Sequence, residues 1–377
     1  MMEHILFELT LILVMGISAQ WLSWRLKTPS ILLLILFGFF AGPIWDKVFG
    51  DLLFPWVTLS VAIILFEGGL SLKFSELKEA GADILKLISV GTIVTWSLIT
   101  ITAHFLLGMS WAFSGLMGSL LVVTGPTVIG PILRHLRPKK RLNALLKWEA
   151  IVVDPIGAIL AVLVFEAIVS GDGHGLSSIA MMGLLKAGVI GCSIGLIGAA
   201  IIAFFLKRHW IPDHLHSSVT LMMVAASLVV SNHFYSESGL IAVTIMGIFL
   251  ANQKSVPVHH IVEFKENLRV LLISCLFIVL SARIKLDQVI AIFDWRAILF
   301  LATLIFVIRP LAIWSSMVGS DLSNREKTFL ASIAPRGIVA AAISSLFALR
   351  LDAAQIYGGD KIVLLHLSNP FLARWWI

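Results

Sequence analysis

Long apolar stretches alternate with short polar turns along almost the whole chain. Most apolar stretches approach or exceed the roughly 20 residues that a helix needs to cross the hydrocarbon core of a membrane. The turns between them, such as residues 170–175 and 231–233, are short and polar. The pattern therefore predicts an all-α polytopic membrane protein with about 13 transmembrane helices. The predicted spans are residues 5–22, 30–45, 52–72, 84–107, 111–134, 143–169, 177–206, 216–233, 239–251, 262–282, 295–319, 327–349 and 359–376.

Composition supports a membrane protein and argues against other classes. Of the 377 residues, 59% are hydrophobic and 13% are charged, unlike the composition of a soluble enzyme. Lys and Arg outnumber Asp and Glu by 28 to 22. No basic stretch is interleaved with aromatic residues, so we expect no nucleic-acid partner. Cys192 and Cys275 lie in apolar segments, and the spacing of cysteine and histidine residues predicts no disulfide framework, metal site or cofactor. We expect residues 1–377 to form a single transmembrane domain in the lipid bilayer, without a soluble domain.

The basic residues also predict the orientation of the chain. Most Lys and Arg residues fall in or beside the odd-numbered loops. Because basic residues accumulate in cytoplasmic loops, this distribution predicts an outside N-terminus and a cytoplasmic C-terminus. The first apolar run lacks a basic leading region and a small-residue cleavage site, so we interpret it as a retained helix.

Two neighbouring spans carry features of an ion site. Thr124, Gly125 and Pro126 interrupt the fifth span, where proline removes a backbone hydrogen bond and glycine lowers the cost of bending. The sixth span carries Glu149 and Asp154 in an otherwise apolar run. A carboxylate at membrane depth is costly and marks a functional site by default. An open helix beside a buried acid can bind a cation, with Thr124 and the freed carbonyls as oxygen ligands.

The second half of the chain repeats this arrangement. Residues 334–337, which include Pro335 and Arg336, interrupt the twelfth span. The two interrupted spans are seven apart, an odd number, so the two helices enter the membrane from opposite sides. This predicts inverted repeats with two discontinuous helices that cross at the midplane. Arg336 is placed to neutralise a carbonyl end of the broken helix.

Several motifs together resemble one family of transporters. The motifs are residues 65–70 (LFEGGL), residues 124–127 (TGPT), Trp148-Glu149 with Asp154-Pro155, Arg309-Pro310 and residues 335–337 (PRG). They look like those of the bacterial NhaP-type sodium/proton antiporters, relatives of the animal NHE exchangers, over nearly the whole chain. The resemblance implies thirteen helices, a homodimer in the bacterial inner membrane and elevator-like alternating access. It also implies that Asp154 is the ion-binding aspartate and that Glu149 pairs with Arg309.

The chain departs from the family pattern at three places. Many relatives have aspartate at the position of Gly125, and asparagine or aspartate at the position of Val153. Both departures remove polar atoms near the expected site. The last predicted span is short, whereas relatives often continue into a full helix and a cytoplasmic regulatory domain. This is compatible with a truncated chain.

Each singled-out residue also has a structural interpretation. Asp154 has the alternative of a structural carboxylate satisfied by its neighbours. Glu149 is rotated from Asp154 by about 140° on a helix, so we favour a structural ion pair with Arg309. For Glu67, which precedes two glycines, a packing role and a functional role both remain open.

These features together predict secondary active transport and not an enzyme. A proton and Na⁺, or K⁺ or Li⁺, would compete for the oxygens of Asp154, which gives cation/proton exchange in the service of pH homeostasis. One titrating acid favours electroneutral exchange. The alternatives are a non-transporting membrane sensor and a cation channel, which would require a continuous polar path or a ring of carbonyls.

Overall fold

The computed structural model describes residues 2–26, 28, 30–42, 53–125, 129–130, 132–133, 136–170, 176–253, 259–282 and 295–333. Every long element in these ranges is a helix. Two π turns, Leu87–Gly91 and Leu304–Ile308, join consecutive helices, and a 3₁₀ turn at Asp213–Leu215 leads into another. The helices are α1 (Met2–Leu26), α2 (Ser30–Ala41), α3 (Leu53–Leu70), α4 (Phe74–Lys86), α5 (Thr92–Leu107), α6 (Trp111–Val122), α7 (Lys140–Ser170), α8 (Leu176–Lys207), α9 (His216–Phe234), α10 (Ser238–Asn252), α11 (His259–Ala282), α12 (Trp295–Thr303), α13 (Arg309–Ser316) and α14 (Asn324–Ser332).

The first eleven predicted spans each fall on described helices, with differences at their ends. Six stretches are long and apolar enough to cross a membrane within the described ranges, and shorter apolar helices accompany them. The twelfth span begins as α14, and the thirteenth lies outside the described residues, so the count of thirteen stays a prediction. The six long stretches are Leu9–Leu26, Ala80–Leu107, Lys140–Ile168, Met182–Lys207, Asp213–Phe234 and Trp295–Ser316.

The fourth span begins earlier than its hydropathy predicts. Helix α4 starts at Phe74 and runs through the first π turn into α5, whereas the sequence pattern put the start near residue 84. The helix is amphipathic: Ala80 and Ile84 are buried, and Ser75 and Lys78 are exposed. An amphipathic helix escapes a search for continuous apolar runs, because only one of its faces is apolar.

The buried side chains divide the helices into two bundles. The first bundle consists of α1–α3 and α8–α11, and Leu34, Val243 and Leu276 lie in its core. The second bundle consists of α4–α7 and α12–α14. Its core has two parts, one around Phe300 and one around Leu145. Because α7 also packs against α8 and α10, this helix lies at the boundary between the bundles.

In the order of the described helices, the chain passes from one bundle to the other after α3, after α7 and after α11. The first passage, residues 71–73, is described, whereas residues 171–175 and 283–294 lie outside the described residues. Beside α7, an apolar cluster of Ile159, Leu163 and Ala187 fills part of the boundary. The bundles are thus in apolar contact, and the described connection between them, residues 71–73, is short.

Close backbone contact holds α3 against α10 in the first bundle. A Cβ atom built on Gly69 would lie 2.5 Å from the carbonyl oxygen of Thr244, and one built on Gly247 would lie 2.3 Å from that of Phe66. Neither distance leaves room for a side chain. Small residues at such crossings let two membrane helices approach until their backbones touch.

Ion pairs fix the first turns of α7 to the other helices of the second bundle. Glu76 of α4 accepts hydrogen bonds from Lys147 Nζ and Trp148 Nε1, each at 2.9 Å. Arg141 pairs with the buried Asp83 of the same helix α4. The beginning of α7 is therefore held to α4 by three polar contacts just before the segment that carries Glu149.

A capped helix start adds a further tie at this end of the bundle. Ser323 and Glu326 form a capping box at the start of α14, and Lys139 Nζ lies 2.9 Å from Glu326 Oε1. The hydrogen bonds from Lys139 and Ser323 lower the pKa of Glu326 to about 2. Glu326 therefore stays ionised at neutral pH and keeps both contacts.

Candidate ion-binding site

Asp154 lies in the middle of α7, a helix of 31 residues that continues through Pro155. Its side chain is 0% exposed. Within the part of the chain that the structure describes, neither carboxylate oxygen has a hydrogen-bond partner. A buried carboxylate without partners is strongly destabilised in its charged form. Among the described residues, therefore, no hydrogen bond offsets a negative charge on Asp154.

The interruption of the fifth span lies against the same part of α7. Helix α6 ends at Val122, and residues 123–125 are not helical. A Cβ atom built on Gly157 would lie 2.6 Å from Val123 Cγ2 and 3.3 Å from both Val123 N and Cα. Gly157 is three residues beyond Asp154, which is nearly one helical turn. The opened backbone therefore passes within one turn of the buried acid.

Thr124 reaches α7 on the other side of Asp154. Its hydroxyl donates a hydrogen bond to the backbone carbonyl of Glu149 at 3.2 Å, and the side chain is buried. The hydroxyl oxygen keeps a lone pair that can accept or coordinate. After Gly125 the chain returns to helical residues at 129–130, while Pro126 lies outside the described residues.

Glu149 and Arg309 form a bidentate ion pair in the second bundle. Arg309 Nη1 donates to Glu149 Oε1, and Arg309 Nη2 donates to Glu149 Oε2 at 2.9 Å. Both side chains are buried. Two parallel N–H···O bonds fix orientation as well as charge. The negative charge of Glu149 is thus paired with Arg309, whereas no described residue forms a hydrogen bond with the carboxylate of Asp154.

Arg309 also binds the end of α14. Its Nε and Nη2 atoms donate to the carbonyl of Ile333 at 3.2 and 2.9 Å, and Nη2 also lies 3.4 Å from the carbonyl of Leu330. Carbonyls at a helix C-terminus carry partial negative charge, which a guanidinium neutralises. The sequence predicted this task for Arg336, which lies with Pro335 outside the described residues.

The contacts of Arg309 join the two regions that the sequence marks as helix breaks. Thr124 at the first break donates a hydrogen bond to the backbone carbonyl of Glu149. Arg309 donates both to the carboxylate of Glu149 and to the carbonyl of Ile333. Ile333 is the residue immediately before the predicted second break at 334–337. A guanidinium has five N–H donors and a carboxylate accepts two of them in a bidentate pair. That surplus of donors is the signal that could have indicated a second partner for Arg309.

Glu67 lies in the first bundle and pairs with a residue that the sequence motifs do not connect to it. Arg269 Nη1 of α11 lies 3.2 Å from Glu67 Oε1 of α3. This ion pair links two helices of one bundle, next to the close contact at Gly69. Glu67 therefore forms its ion pair within the first bundle, whereas Glu149 and Asp154 lie in the second bundle.

Comparison with known proteins reveals relatives over most of the chain. The family model described as sodium/hydrogen exchanger, transmembrane, matches residues 9–360. The chain is similar to Na⁺/H⁺ antiporter 1 of Methanocaldococcus jannaschii, with 27% identity over 349 residues that cover 89% of this chain and 81% of that protein.

Two longer relatives have names that refer to another cation. The K⁺/H⁺ antiporter NhaP of Alkalimonas amylolytica and the K⁺/H⁺ antiporter NhaP2 of Shewanella sp. (strain ANA-3) are each 25% identical to the chain. The alignments cover 86% and 89% of this chain, but 57% and 59% of those proteins. The chain thus spans less than two thirds of the length of these two relatives.

The fold is also similar to solved structures. The structure of the sodium proton antiporter MjNhaP1 from Methanocaldococcus jannaschii at pH 8 matches with a TM-score of 0.83, at 22% identity over 99% of this chain and 94% of that chain. An electron microscopy structure of the same antiporter matches with a TM-score of 0.80, at 23% identity over 98% and 95% of the two chains. The described helices therefore have the fold of a membrane antiporter.

Proposed function

The chain belongs to the sodium/hydrogen exchanger family, and from that premise we propose that it exchanges a monovalent cation for protons across the bacterial inner membrane. The cation is Na⁺, K⁺ or Li⁺, and the relatives named for Na⁺ and for K⁺ support either of the first two. The observation that carries the proposal is Asp154, fully buried and without a hydrogen-bond partner among the described residues.

The exchange follows from competition at one carboxylate. Burial makes the bare carboxylate unfavourable, so Asp154 is occupied either by a proton or by a cation. Thr124 and the open backbone of residues 123–125 supply further oxygens for the cation. Pro126 keeps this backbone open, because it cannot donate to a helical carbonyl. Each conformational change then carries either a cation or a proton, and the ion gradients set the direction of net transport.

Alternating access would come from movement of one bundle against the other. The second bundle holds Asp154, Glu149 and Arg309. It meets the first bundle through apolar side chains, such as Leu163 of α7 against Ala187 of α8. An elevator-like shift of the second bundle would expose Asp154 first to one side and then to the other. We propose that Glu149 and Arg309 hold the moving bundle together, while Pro335 and Arg336 shape its second helix break.

The arrangement in the membrane completes the proposal. The chain is expected to form a homodimer, with its N-terminus outside and its C-terminus in the cytoplasm. Exchange is expected to be electroneutral, because one titrating acid supplies one proton for each cation. The basic residues around the start of α7, such as Lys139 and Arg141, support a cytoplasmic position for that end of the bundle.

The test replaces Asp154 and compares it with another acid on the same helix. In everted membrane vesicles, addition of Na⁺, K⁺ or Li⁺ should restore the fluorescence of a quenched pH dye if cations enter in exchange for protons. Asp154→Asn should abolish this response at equal membrane abundance, since an amide neither titrates nor carries charge. Glu166→Gln, a change at an exposed position of α7, should preserve it.

Three results would contradict the proposal. Normal cation-dependent proton flux in Asp154→Asn would exclude this residue as the exchange site. Cation flux without coupled proton movement in the wild type would indicate a channel, and no flux of either ion would indicate a sensor.

A further inference from the structure

Asn252 forms hydrogen bonds with the segment that connects the first bundle to the second. It lies at the end of α10 in the first bundle, far in sequence from residues 71–73 that connect α3 to α4. Its Oδ1 accepts a hydrogen bond from the backbone N–H of Phe74 at 2.6 Å, and its Nδ2 donates to the carbonyl of Leu72 at 2.8 Å. A single side chain therefore holds the backbone on both sides of Lys73.

The first of these bonds replaces a missing helix cap. A helix begins with N–H groups that have no partner in the helix, and Ser, Thr, Asp or Asn usually caps them from the preceding position. The N-cap residue of α4 is Lys73, whose side chain makes no capping hydrogen bond. Asn252 supplies the acceptor from another helix and thus ties the start of α4 to the first bundle.

Asn252 is itself held firmly. Its Nδ2 also donates to the carbonyl of Ile248, one turn earlier in α10, at 2.7 Å. The same helix touches α3 through Gly69 and Gly247, which fixes the end of α10 beside the end of α3. The anchor therefore lies against the last turns of α3, while α4 belongs to the second bundle, whose core around Leu145 also includes Leu72 and Ile248.

We propose that Asn252 is a positioning residue that pins a hinge at residues 71–73, about which the second bundle turns during transport. This inference rests on the proposed exchange by alternating access. Because Asn252 binds the backbone at the start of α4, this helix can change direction while its first turn stays attached to the first bundle. Hinges consist of a few terminal or loop residues that absorb a change in backbone angles. The bonds of Asn252 to Leu72 and Phe74 confine that change to the backbone around Lys73, within this segment.

A matched control exists at another turn. Asn232 Oδ1 accepts a hydrogen bond from the backbone N–H of Gly239 at 2.8 Å, but both residues lie in the first bundle. Asn252→Ala and Asn232→Ala therefore each remove an amide that holds a helix start, and only the first touches the connection between bundles. Asn252→Asp separates the two bonds at the hinge, because a carboxylate still accepts from Phe74 but cannot donate to Leu72.

The first measurement is exchange in proteoliposomes at several cation concentrations. Asn252→Ala and Asn252→Asp should lower the maximal rate roughly three- to ten-fold, the factor that one or two ordinary hydrogen bonds represent. The apparent KM for the cation should change little, since Asn252 does not contact Asp154. Asn232→Ala should lose a similar amount of thermal stability in detergent and keep the wild-type rate. A wild-type rate in either Asn252 variant, or equal slowing in Asn232→Ala, would overturn the proposal.

The second measurement does not depend on transport. Spin labels at Ala82→Cys of α4 and Met222→Cys of α9, both exposed positions, report the distance between the bundles in a Cys192→Ser, Cys275→Ser background. Asn252→Ala should shift or broaden the distance distribution by double electron–electron resonance, and Asn232→Ala should leave it unchanged. An unchanged distribution in Asn252→Ala would refute the hinge. Absence of wild-type exchange would instead refute the proposed function, and the distance measurement would still decide the hinge.

Discussion

At the scale of single residues, the two acids of α7 differ in what surrounds them. Glu149 has a bidentate partner in Arg309, whereas Asp154 has none among the described residues. The two lie on different faces of the helix, since five residues correspond to about 140° of rotation. The same helix therefore carries one acid in a buried ion pair and one that, as we propose, binds the transported ion.

Loss of either partner of the ion pair should destabilise the protein. Glu149→Gln leaves the Arg309 charge buried, and Arg309→Ala leaves the Glu149 charge buried and removes the bonds to Ile333. Each change should lower the free energy of unfolding by roughly 3–5 kcal/mol, the range for breaking a buried pair. Thermal melting in detergent and the folded yield after purification measure this loss.

The control for this prediction is Asp154→Asn. It also neutralises a buried acid of α7, but one without a partner to lose, so its melting temperature should equal or exceed that of the wild type. If Glu149→Gln and Arg309→Ala instead melt like the wild type and only lose transport, the pair takes part in transport itself and the structural interpretation is wrong.

Part of this residue-level description could be predicted from sequence alone. The family resemblance indicated the partnership of Glu149 and Arg309, and the structure places their side chains in contact. The bonds from Arg309 to Leu330 and Ile333 could not be read from the sequence, because backbone carbonyls carry no sequence signature. The partner of Glu67 was missed for a similar reason: Arg269 lies in a distant span, and only the packing of α3 on α11 brings it close.

At the scale of elements, the pattern of apolar residues predicted the long apolar helices better than it predicted the amphipathic helix α4. Residues 74–83 of α4 were missed because the charged face of this helix interrupts the apolar run, although its buried face packs against α7. The end of α6 at Val122 lies next to the predicted interruption at Thr124 and Gly125. A glycine followed by proline is a local signal, so it needs no knowledge of tertiary contacts.

The contact between the break and α7 should be sensitive to the size of residue 157. Gly157→Val would place a side chain 3.3 Å from the backbone of Val123, where only a shift of the break can make room. We expect a loss of roughly 1–3 kcal/mol in stability from overpacking. We also expect a higher apparent KM for the cation, because residues 123–125 move away from Asp154. Thermal melting and proteoliposome exchange measure the two effects.

Gly188→Val provides the matched control. Gly188 also lies inside a long helix, α8, but a Cβ atom built there meets nothing within 4 Å. Its melting temperature and apparent KM should stay close to those of the wild type. Equal effects of the two substitutions would mean that valine disturbs these helices in general, and that the break is not packed against Gly157 in the membrane.

At the scale of the whole molecule, the two bundles suit a protein in which one part moves against another. Their boundary is formed by apolar side chains beside α7, and the described connection at residues 71–73 is short. The division into bundles could not be predicted from the sequence, because each apolar span could pack with any other. The division depends on which helices touch. Some contacts, such as that between α3 and α10, require a glycine on each helix, here Gly69 and Gly247, and neither glycine alone identifies its partner.

Exchange should be insensitive to membrane voltage. Electrogenic transport would need a second titrating group at the site, but Gly125 and Val153 occupy the two positions where relatives often carry a polar or acidic residue. The other acid on this helix, Glu149, accepts two hydrogen bonds from Arg309. In proteoliposomes whose potential is set by K⁺ and valinomycin, Na⁺ or Li⁺ uptake driven by a pH gradient should not change with the imposed voltage. Uptake that follows the voltage would mean that a second proton moves, with Glu149 as the first residue to test.

The π turn at Leu304–Ile308 has a consequence for how this chain tolerates change. It stands directly before Arg309-Pro310 and adds one residue to a helical turn, which shifts the phase of everything after it by about 100°. Val307 in this turn is 47% exposed, so its side chain contributes little to the core. Among apolar residues its identity is therefore nearly free, but its presence is not. Deleting Val307 would restore an ordinary helix and rotate Arg309 away from Glu149. The number of residues in this turn therefore matters more than which residue stands at position 307.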